Sequence, residues 1–392
     1  MSIAKSEDQL VSALSAVDWN FPATMTLPTS VHSLHWFPGN FVPQIPAFLI
    51  QLLSRPSSLV LDPFCGSGTT GIEAALLGRD SVQSDANSVS GLISRAKIAL
   101  LTSVVVRREL PKLADPLAWS FLPKDDSGKH REGTDPALEE WFHADTLSQL
   151  RSIWMRLRSF QNPEVRVVLE ALFSNTLLSC ASTGSSITSG GGKRRNHWGW
   201  VADNVLPRRR LWHDAKRLFW QSIRRTSEML KATPPAGDTR CVFVRADARA
   251  LPLRDESVDL IVTSPPYLGM IDYATGNRLT YLWFGWQINV DRDIEIGARC
   301  RRNRKNEPTE YSKSIAGSVC EMSRVLKSGC LCAIVIGASR KFPGMWNCVV
   351  ENFAGRMRLV WGPTGRVPTR RRVSDRKGSE PSEYICVFKK DA

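Results

Sequence analysis

The chain has 392 residues, of which 42% are hydrophobic and 23% charged. These proportions exclude a disordered, collagen-like or fibrous chain, and no apolar run reaches the ~18–20 residues of a bilayer-spanning helix. Lys and Arg number 52 against 38 Asp and Glu, a net charge of +14. Such a surplus points to a polyanionic partner, nucleic acid first and an anionic membrane second, with a merely soluble basic protein as the alternative. The nine cysteines form no CxxC pair. That spacing argues against a zinc ribbon and a disulfide framework, and no metal site is expected. The polar N-terminus does not read as a secretory signal, so a soluble cytoplasmic protein, nucleoid-associated if nucleic acid is the partner, is the expectation.

In chain order, the first 30 residues read as a short amphipathic stretch and a linker. Apolar spacing predicts a helix over 45–54, broken by Arg55-Pro56-Ser57-Ser58. Leu59-Val60-Leu61 is a short buried strand running into Asp62-Pro63-Phe64-Cys65-Gly66-Ser67-Gly68-Thr69-Thr70, followed by a helix closed at Gly78. Ser81 to Ser84 form a second strand ending at Asp85. Strands follow again at 241–244, ending at Asp247, and at 259–263, ending at Ser264-Pro265-Pro266-Tyr267. A helix around 311–327, a strand from Cys330 and a last strand in SEYICVFKK complete the pattern. The class is α/β, a Rossmann-like parallel sheet with helices on both faces, split by a mainly helical insertion. The divisions are 1–100, 101–240 and 241–392. Within the insertion, 139–178 is helical and amphipathic, and the Ser/Gly-rich stretch 182–196 predicts a mobile loop. Between 190 and 231 stand eleven Lys and Arg against Asp203, Asp214 and Glu228.

Two motifs carry chemistry. In the loop 62–68 the glycines permit a tight turn and close approach of a ligand, and the following helix offers free N–H groups. Asp85, at the end of the next strand, stands where an acid accepts ribose hydroxyls. The pattern is not GxGxxG, and a tight structural turn is the alternative reading. In Ser264-Pro265-Pro266-Tyr267 the prolines fix the backbone. Ser264 and the Pro265 carbonyl form two acceptors for an –NH2 group beside an aromatic face. A Pro-rich turn with a core tyrosine is the alternative.

Together, LVLDPFCGSGTTGIEAALLGR and IVTSPPYLGMIDY resemble the DNA amino-methyltransferases that act on N4 of cytosine or N6 of adenine. HWFPGNFVPQIPAFLI resembles their N-terminal cofactor-side motif. The resemblance implies a Rossmann-like fold and S-adenosylmethionine as cofactor. It implies cofactor contacts at Phe37, at Asp62, Pro63, Phe64, Cys65, Gly66, Ser67, Gly68, Thr69 and Thr70, at Asp85 and Ala86, and at Asp247 and Ala248. Ser264, Pro265, Pro266 and Tyr267 would form the catalytic clamp, with Tyr267 stacking on a base flipped from the duplex. Ser rather than Asp or Asn before the prolines favours N4 of cytosine. No Pro-Cys dipeptide occurs, so the C5-cytosine route, which needs a thiolate nucleophile, is rejected.

Double-stranded DNA is then the expected partner, with a separately encoded restriction endonuclease in the background and a monomer or homodimer as the working form. Candidate DNA contacts are Lys193, Arg194, Arg195, His197, Trp198, Arg208, Arg209 and Arg210 in the insertion. Others are Arg301, Arg302 and Arg371, within the clusters Arg299/Arg301/Arg302/Arg304/Lys305 and Arg366/Arg370/Arg371/Arg372, both read as loops. Asp272, Tyr273 and Arg278 are candidates to line the base pocket. The competing functions are an N6-adenine enzyme, an RNA N-methyltransferase, and a catalytically silent DNA-binding subunit.

Overall fold

The computed structural model of the chain describes residues 6–21, 30–39, 41–119, 122, 132–181, 201–207, 209–339, 341–367 and 382–391. Helices α1 (Glu7–Ser15) and α2 (Gln44–Leu53) precede β1 (Leu59–Asp62), α3 (Thr69–Leu76), β2 (Asp80–Asp85) and α4 (Ser88–Thr102). A run of helices follows: α5 (Val104–Leu113), α6 (Leu138–Trp141), α7 (Ala144–Arg158), α8 (Pro163–Cys180) and α9 (Ala215–Ala232). The sheet resumes with β3 (Cys241–Arg245) and β4 (Val258–Thr263). Three short helices come next, α10 (Tyr273–Gly276), α11 (Arg278–Phe284) and α12 (Ile288–Ile294), then the long α13 (Glu307–Val325). The chain closes with β5 (Leu326–Gly337), α14 (Met345–Ala354), β6 (Arg358–Arg366) and β7 (Glu383–Lys389).

Among the described residues the strands form one seven-stranded sheet in the order β3-β2-β1-β4-β5-β7-β6. β1 to β5 run parallel, and β7 inserts antiparallel between β5 and β6. The order reverses between β1 and β4. In open α/β sheets that switch point opens a crevice beyond the carboxyl ends of the strands. Asp62 ends β1 and Thr263 ends β4, so both motifs meet there.

The central strands are apolar on both faces, as strands covered on two sides must be. Side chains alternate between two cores. Val60, Leu260, Val262, Val335 and Val387 pack with α1 and α2, whereas Leu61, Ile261, Ile334 and Phe388 pack with α13 and α14. The inserted helices do not stand apart. Leu150, Trp154, Leu169, Phe173, Phe219 and Ile223 share one core with Leu92, Ala96 and Leu100 of α4 and with Trp283 of α11. Asn162 caps α8 through the N–H groups of Glu164 and Val165, with Pro163 in the first turn. Helix α9 buries Phe219, Ile223 and Met229 and leaves Lys216, Arg217, Arg224 and Arg225 exposed.

Several elements differ from the sequence expectation. Helix α13 starts at Glu307, four residues early, and β5 starts directly at its end, at Leu326. Strand β6 is not expected from the sequence, because Gly362, Pro363 and Gly365 interrupt its apolar pattern, and it takes in Arg366 of the expected loop cluster. Its last residue, Arg366, is not a loop cation free for phosphate. It is 2% exposed and paired with Glu383. Among the described residues no single helix is long and apolar enough to cross a membrane. The Ser/Gly-rich stretch 182–196 lies outside the described residues.

Candidate active site

The glycine loop is built by backbone geometry that only glycine adopts cheaply. Gly66 and Gly68 have φ of 49° and 78°. A Cβ at Gly68 would sit 2.3 Å from the Gln83 Oε1 and 2.8 Å from the Ser94 Oγ, and one at Gly66 would sit 3.2 Å from the Phe37 ring. The loop is tied down by Cys65 N–H donating to the Ser84 carbonyl at 3.0 Å and Gly68 N–H to the Cys65 carbonyl at 2.7 Å. Phe37 reaches over it from the N-terminal segment and stacks on Tyr273, with centroids 5.7 Å apart.

Two carboxylates flank this cradle. Asp62, 3% exposed, accepts the Thr263 hydroxyl at 2.6 Å and the Phe64 N–H at 3.1 Å. Burial pushes it up to about 6, against those hydrogen bonds. Asp85 accepts the N–H groups of Gly66 and Asn87, both at 2.9 Å. Burial pushes it to about 6 as well, with a smaller contribution from the nearby Asp291. A carboxylate can accept about four hydrogen bonds, so both acids keep acceptor capacity toward a ligand. Ala86 lends its carbonyl to Arg245, Ala248 is buried, and Asp247 holds Arg249 at 2.6 Å. Pro63, Ser67, Thr69 and Thr70 complete the loop and the first turn of α3, the last three buried.

The second motif stands at the end of β4. Ser264 donates its hydroxyl to the Val335 carbonyl at 3.0 Å and lies 3.1 Å from the Tyr267 hydroxyl. Tyr311 of α13 donates to the Pro266 carbonyl at 2.8 Å. Among the described residues no donor is recorded for the Pro265 carbonyl, next to Ser264. The Tyr267 ring lies against Gly337, where a Cβ would come within 2.2 Å of it.

The residues after the clamp mostly brace it. Asp272 is 3% exposed and accepts the Cys300 N–H. Arg278 donates to the carbonyls of Val201 and Ala202. Tyr273 faces Phe37, its N–H held by the Glu295 carboxylate. The structure adds an acid that the sequence reading missed. Asp291 on α12 accepts Ser88 N–H at the start of α4, the Arg245 guanidinium and the Tyr281 hydroxyl. It thereby pins the post-clamp helices against the strand end that carries Asp85. No local pattern marks it, since its partners lie up to 203 residues away.

The candidate DNA contacts divide. Lys193, Arg194, Arg195, His197, Trp198, Arg208, Arg370, Arg371 and Arg372 lie outside the described residues. Arg209 is exposed, and Arg210 is exposed with one donor on the Glu139 carbonyl. Trp212, beside them, is 55% exposed. Arg302, Arg304 and Lys305 are exposed. Arg301 pairs with Glu307 and donates to the Glu295 carbonyl, and Arg299 pairs with Asp203.

Residues 16–89 match a family described as DNA methylase, of the N6 and N4 type. The type II methyltransferase M.MjaII of Methanocaldococcus jannaschii is 20% identical, covering 78% of this chain and 72% of its own. The type II methyltransferase M.MvaI of Kocuria varians is 22% identical, covering 72% of this chain and 65% of its own. The family match and the two relatives support a DNA amino-methyltransferase family for this chain. Among solved structures, the rRNA methyltransferase aviRa from Streptomyces viridochromogenes aligns over 91% of this chain and 88% of its own, at 14% identity and a TM-score of 0.33. A superposition that loose adds nothing to the sheet order. The glycine loop and the Ser-Pro-Pro-Tyr segment follow the carboxyl ends of the adjacent parallel strands β1 and β4.

Replacing Asp85 with Ala should weaken S-adenosylmethionine binding by about 10- to 100-fold, the size of one hydrogen bond to a charged acceptor, with the fold intact. In the parent protein, affinity should fall as pH drops through about 6, because protonation removes the acceptor charge of Asp62 and Asp85. Calorimetric titration at several pH values checks both. Unchanged affinity in the Ala variant sinks the assignment of Asp85.

Proposed function

We propose that this DNA methylase transfers a methyl group from S-adenosylmethionine to N4 of cytosine in a specific duplex sequence. The observation that carries the reading is the paired acceptor at the end of β4. Ser264 gives its own proton to the Val335 carbonyl and accepts the Tyr267 hydroxyl, so one Oγ lone pair remains, with the Pro265 carbonyl, as acceptor for one –NH2 group. Ser264, where a carboxylate or amide would favour adenine, supports cytosine.

The cradle suits the cofactor. Its glycines leave room under Phe37, Asp62 offers a carboxylate to an ammonium group, and Asp85 offers one to ribose hydroxyls. When bound, the cofactor supplies a methyl already activated by its sulfonium, so no covalent enzyme intermediate is required. The chain's task is to hold the amine. Its lone pair is conjugated into the base, and hydrogen bonds to Ser264 and Pro265 favour a pyramidal nitrogen. They also stabilise the positive charge that grows there. Alignment of amine and methyl contributes an orientation term. Tyr267 stacks on the flipped base, with its ring seated on Gly337.

The type II relatives support a defined duplex site, with a separately encoded endonuclease as functional partner. The exposed cations support DNA as substrate. They are the arginines of α9, Arg209 and Arg210 beside Trp212, and Arg302, Arg304 and Lys305.

With duplex DNA and cofactor, nucleoside mass spectrometry should report N4-methylcytosine. Ser264→Ala should lower turnover by roughly 100-fold with cofactor affinity unchanged. N6-methyladenine in its place would move the target to adenine, and no methylated base would refute the reading. For the interface, replacing Arg302, Arg304 and Lys305 together with Gln should weaken duplex binding and lower the slope of log K against log salt by about 2 to 3 units, near 0.9 per phosphate contact. An unchanged slope would remove these three from the interface.

A further inference from the structure

The inserted helix α8 meets the N-terminal segment directly before Phe37. The Asn175 Oδ1 accepts the Trp36 N–H at 2.9 Å. One residue earlier in each segment, the Ser174 Oγ lies 2.9 Å from the His35 Nε2, and it lies 2.7 Å from the Thr280 Oγ1 of α11. His35, Ser174 and Thr280 are all buried. Beyond Trp36, Phe37 is wedged between two parts of the site. Its ring lies against Gly66 of the glycine loop and stacks on Tyr273. Gly39 then passes so close to the post-clamp residues that a Cβ there would sit 2.9 Å from the Ile271 Cδ1 and 3.2 Å from the Tyr273 hydroxyl.

We propose that Asn175 is a positioning residue for S-adenosylmethionine binding: by accepting the Trp36 N–H, the inserted helix seats Phe37 on the glycine loop. This rests on the reading of that loop, with Phe37 over it, as the cofactor cradle.

The argument is one of direction. Apolar burial holds a segment against a helix without fixing where along the helix it lies. A hydrogen bond weakens steeply when it is stretched or bent, so it fixes that place. The peptide unit is planar, and one pair of backbone dihedrals separates the held Trp36 N–H from the Phe37 Cα. Phe37 therefore inherits the restraint almost directly. The neighbouring Ser174 hydroxyl joins His35 to Thr280, and a buried polar network of this kind specifies one arrangement of the segments it links. One turn of α8 thus braces both sides of the Phe37–Tyr273 stack, through His35 and Trp36 on one side and through α11, which follows Tyr273, on the other.

The test replaces Asn175 with Leu, which keeps the bulk and removes the acceptor, and with Asp, which keeps the acceptor. Both changes are made in the parent and in a Phe37→Ala background. In the parent, Asn175→Leu should weaken S-adenosylmethionine binding, read by calorimetric titration, by about 3- to 10-fold, the worth of one hydrogen bond between neutral groups. Asn175→Asp should stay within about twofold of the parent, since the N–H keeps its partner. At saturating cofactor, kcat of the Leu variant should stay within about twofold, so that the loss falls on KM for the cofactor. In the Phe37→Ala background, where no ring remains to be seated, the Leu change should alter affinity by less than about twofold. Parent-like affinity in Asn175→Leu, the same loss in Asn175→Asp, or an equal loss in both backgrounds overturns the proposal. Should the Leu variant fail to fold, Asn175→Ala takes its place with the same expected direction. A second readout does not depend on the cofactor. In protein labelled with [15N]tryptophan, the Trp36 amide can be assigned by its loss in Trp36→Phe. It should shift in Asn175→Leu, and an unmoved amide overturns the proposal. A parent protein that binds no S-adenosylmethionine, with an amide that does move, sinks the cradle reading and the proposal with it. A parent that binds the cofactor no more tightly than Asn175→Leu sinks the proposal alone.

Discussion

The hydrogen bond from the Thr263 hydroxyl to Asp62, 2.6 Å long and fully buried, is the contact on which the site depends. Asp62 opens the glycine loop at the end of β1, and Thr263 is the last residue before Ser264 at the end of β4. The two strands are neighbours at the point where the sheet order reverses. One short bond therefore fixes the distance between the glycine loop and the Ser-Pro-Pro-Tyr segment. It also gives a buried carboxylate a partner, without which its charge would be costly. Transfer between two bound groups is sensitive to small misplacements, so a brace of this kind belongs at that position.

Around it the chain adds tethers that reach across the sequence. Tyr311 from α13 holds the Pro266 carbonyl, and Asp291 joins α12 to the start of α4. The helical layer inserted between β2 and β3 shares its core with α4. The basic face of α9 is thus rigidly connected to the element that follows Asp85. In physical terms, the glycine-loop segment and the Ser-Pro-Pro-Tyr segment are cross-braced through side chains distant in the sequence.

Much of this was legible in the sequence because the signals are local. Val60 to Leu61 and Leu260 to Val262 are short apolar runs ending in special residues, which is how a buried parallel strand ending at a site reads. Glycines at 66 and 68 announce a loop that needs positive φ. The contacts that remained hidden are long-range. Glu383 sits at the start of an apolar strand and gave no sign that it pairs with Arg366. Arg366 itself looked like part of a surface cluster, because Gly362 and Pro363 disguise the strand it ends. The apolar run marks Thr263 only as strand, and its hydroxyl has meaning only once Asp62, 201 residues away, is beside it. Arg299 and Arg301 show the same limit. A charge run says nothing about which members are already paired inside the protein.

The most direct measurement is Thr263→Val, which keeps the shape of the side chain and deletes the hydroxyl. Cofactor affinity from calorimetry and single-turnover methyl transfer would be measured on the same preparation. If the Asp62–Thr263 bond sets the two half-sites in register, both should fall together, each by about tenfold or more, since a buried acceptor loses its partner at about 1–3 kcal/mol. Parent-like cofactor affinity and parent-like methyl transfer in a folded Thr263→Val protein would contradict the account.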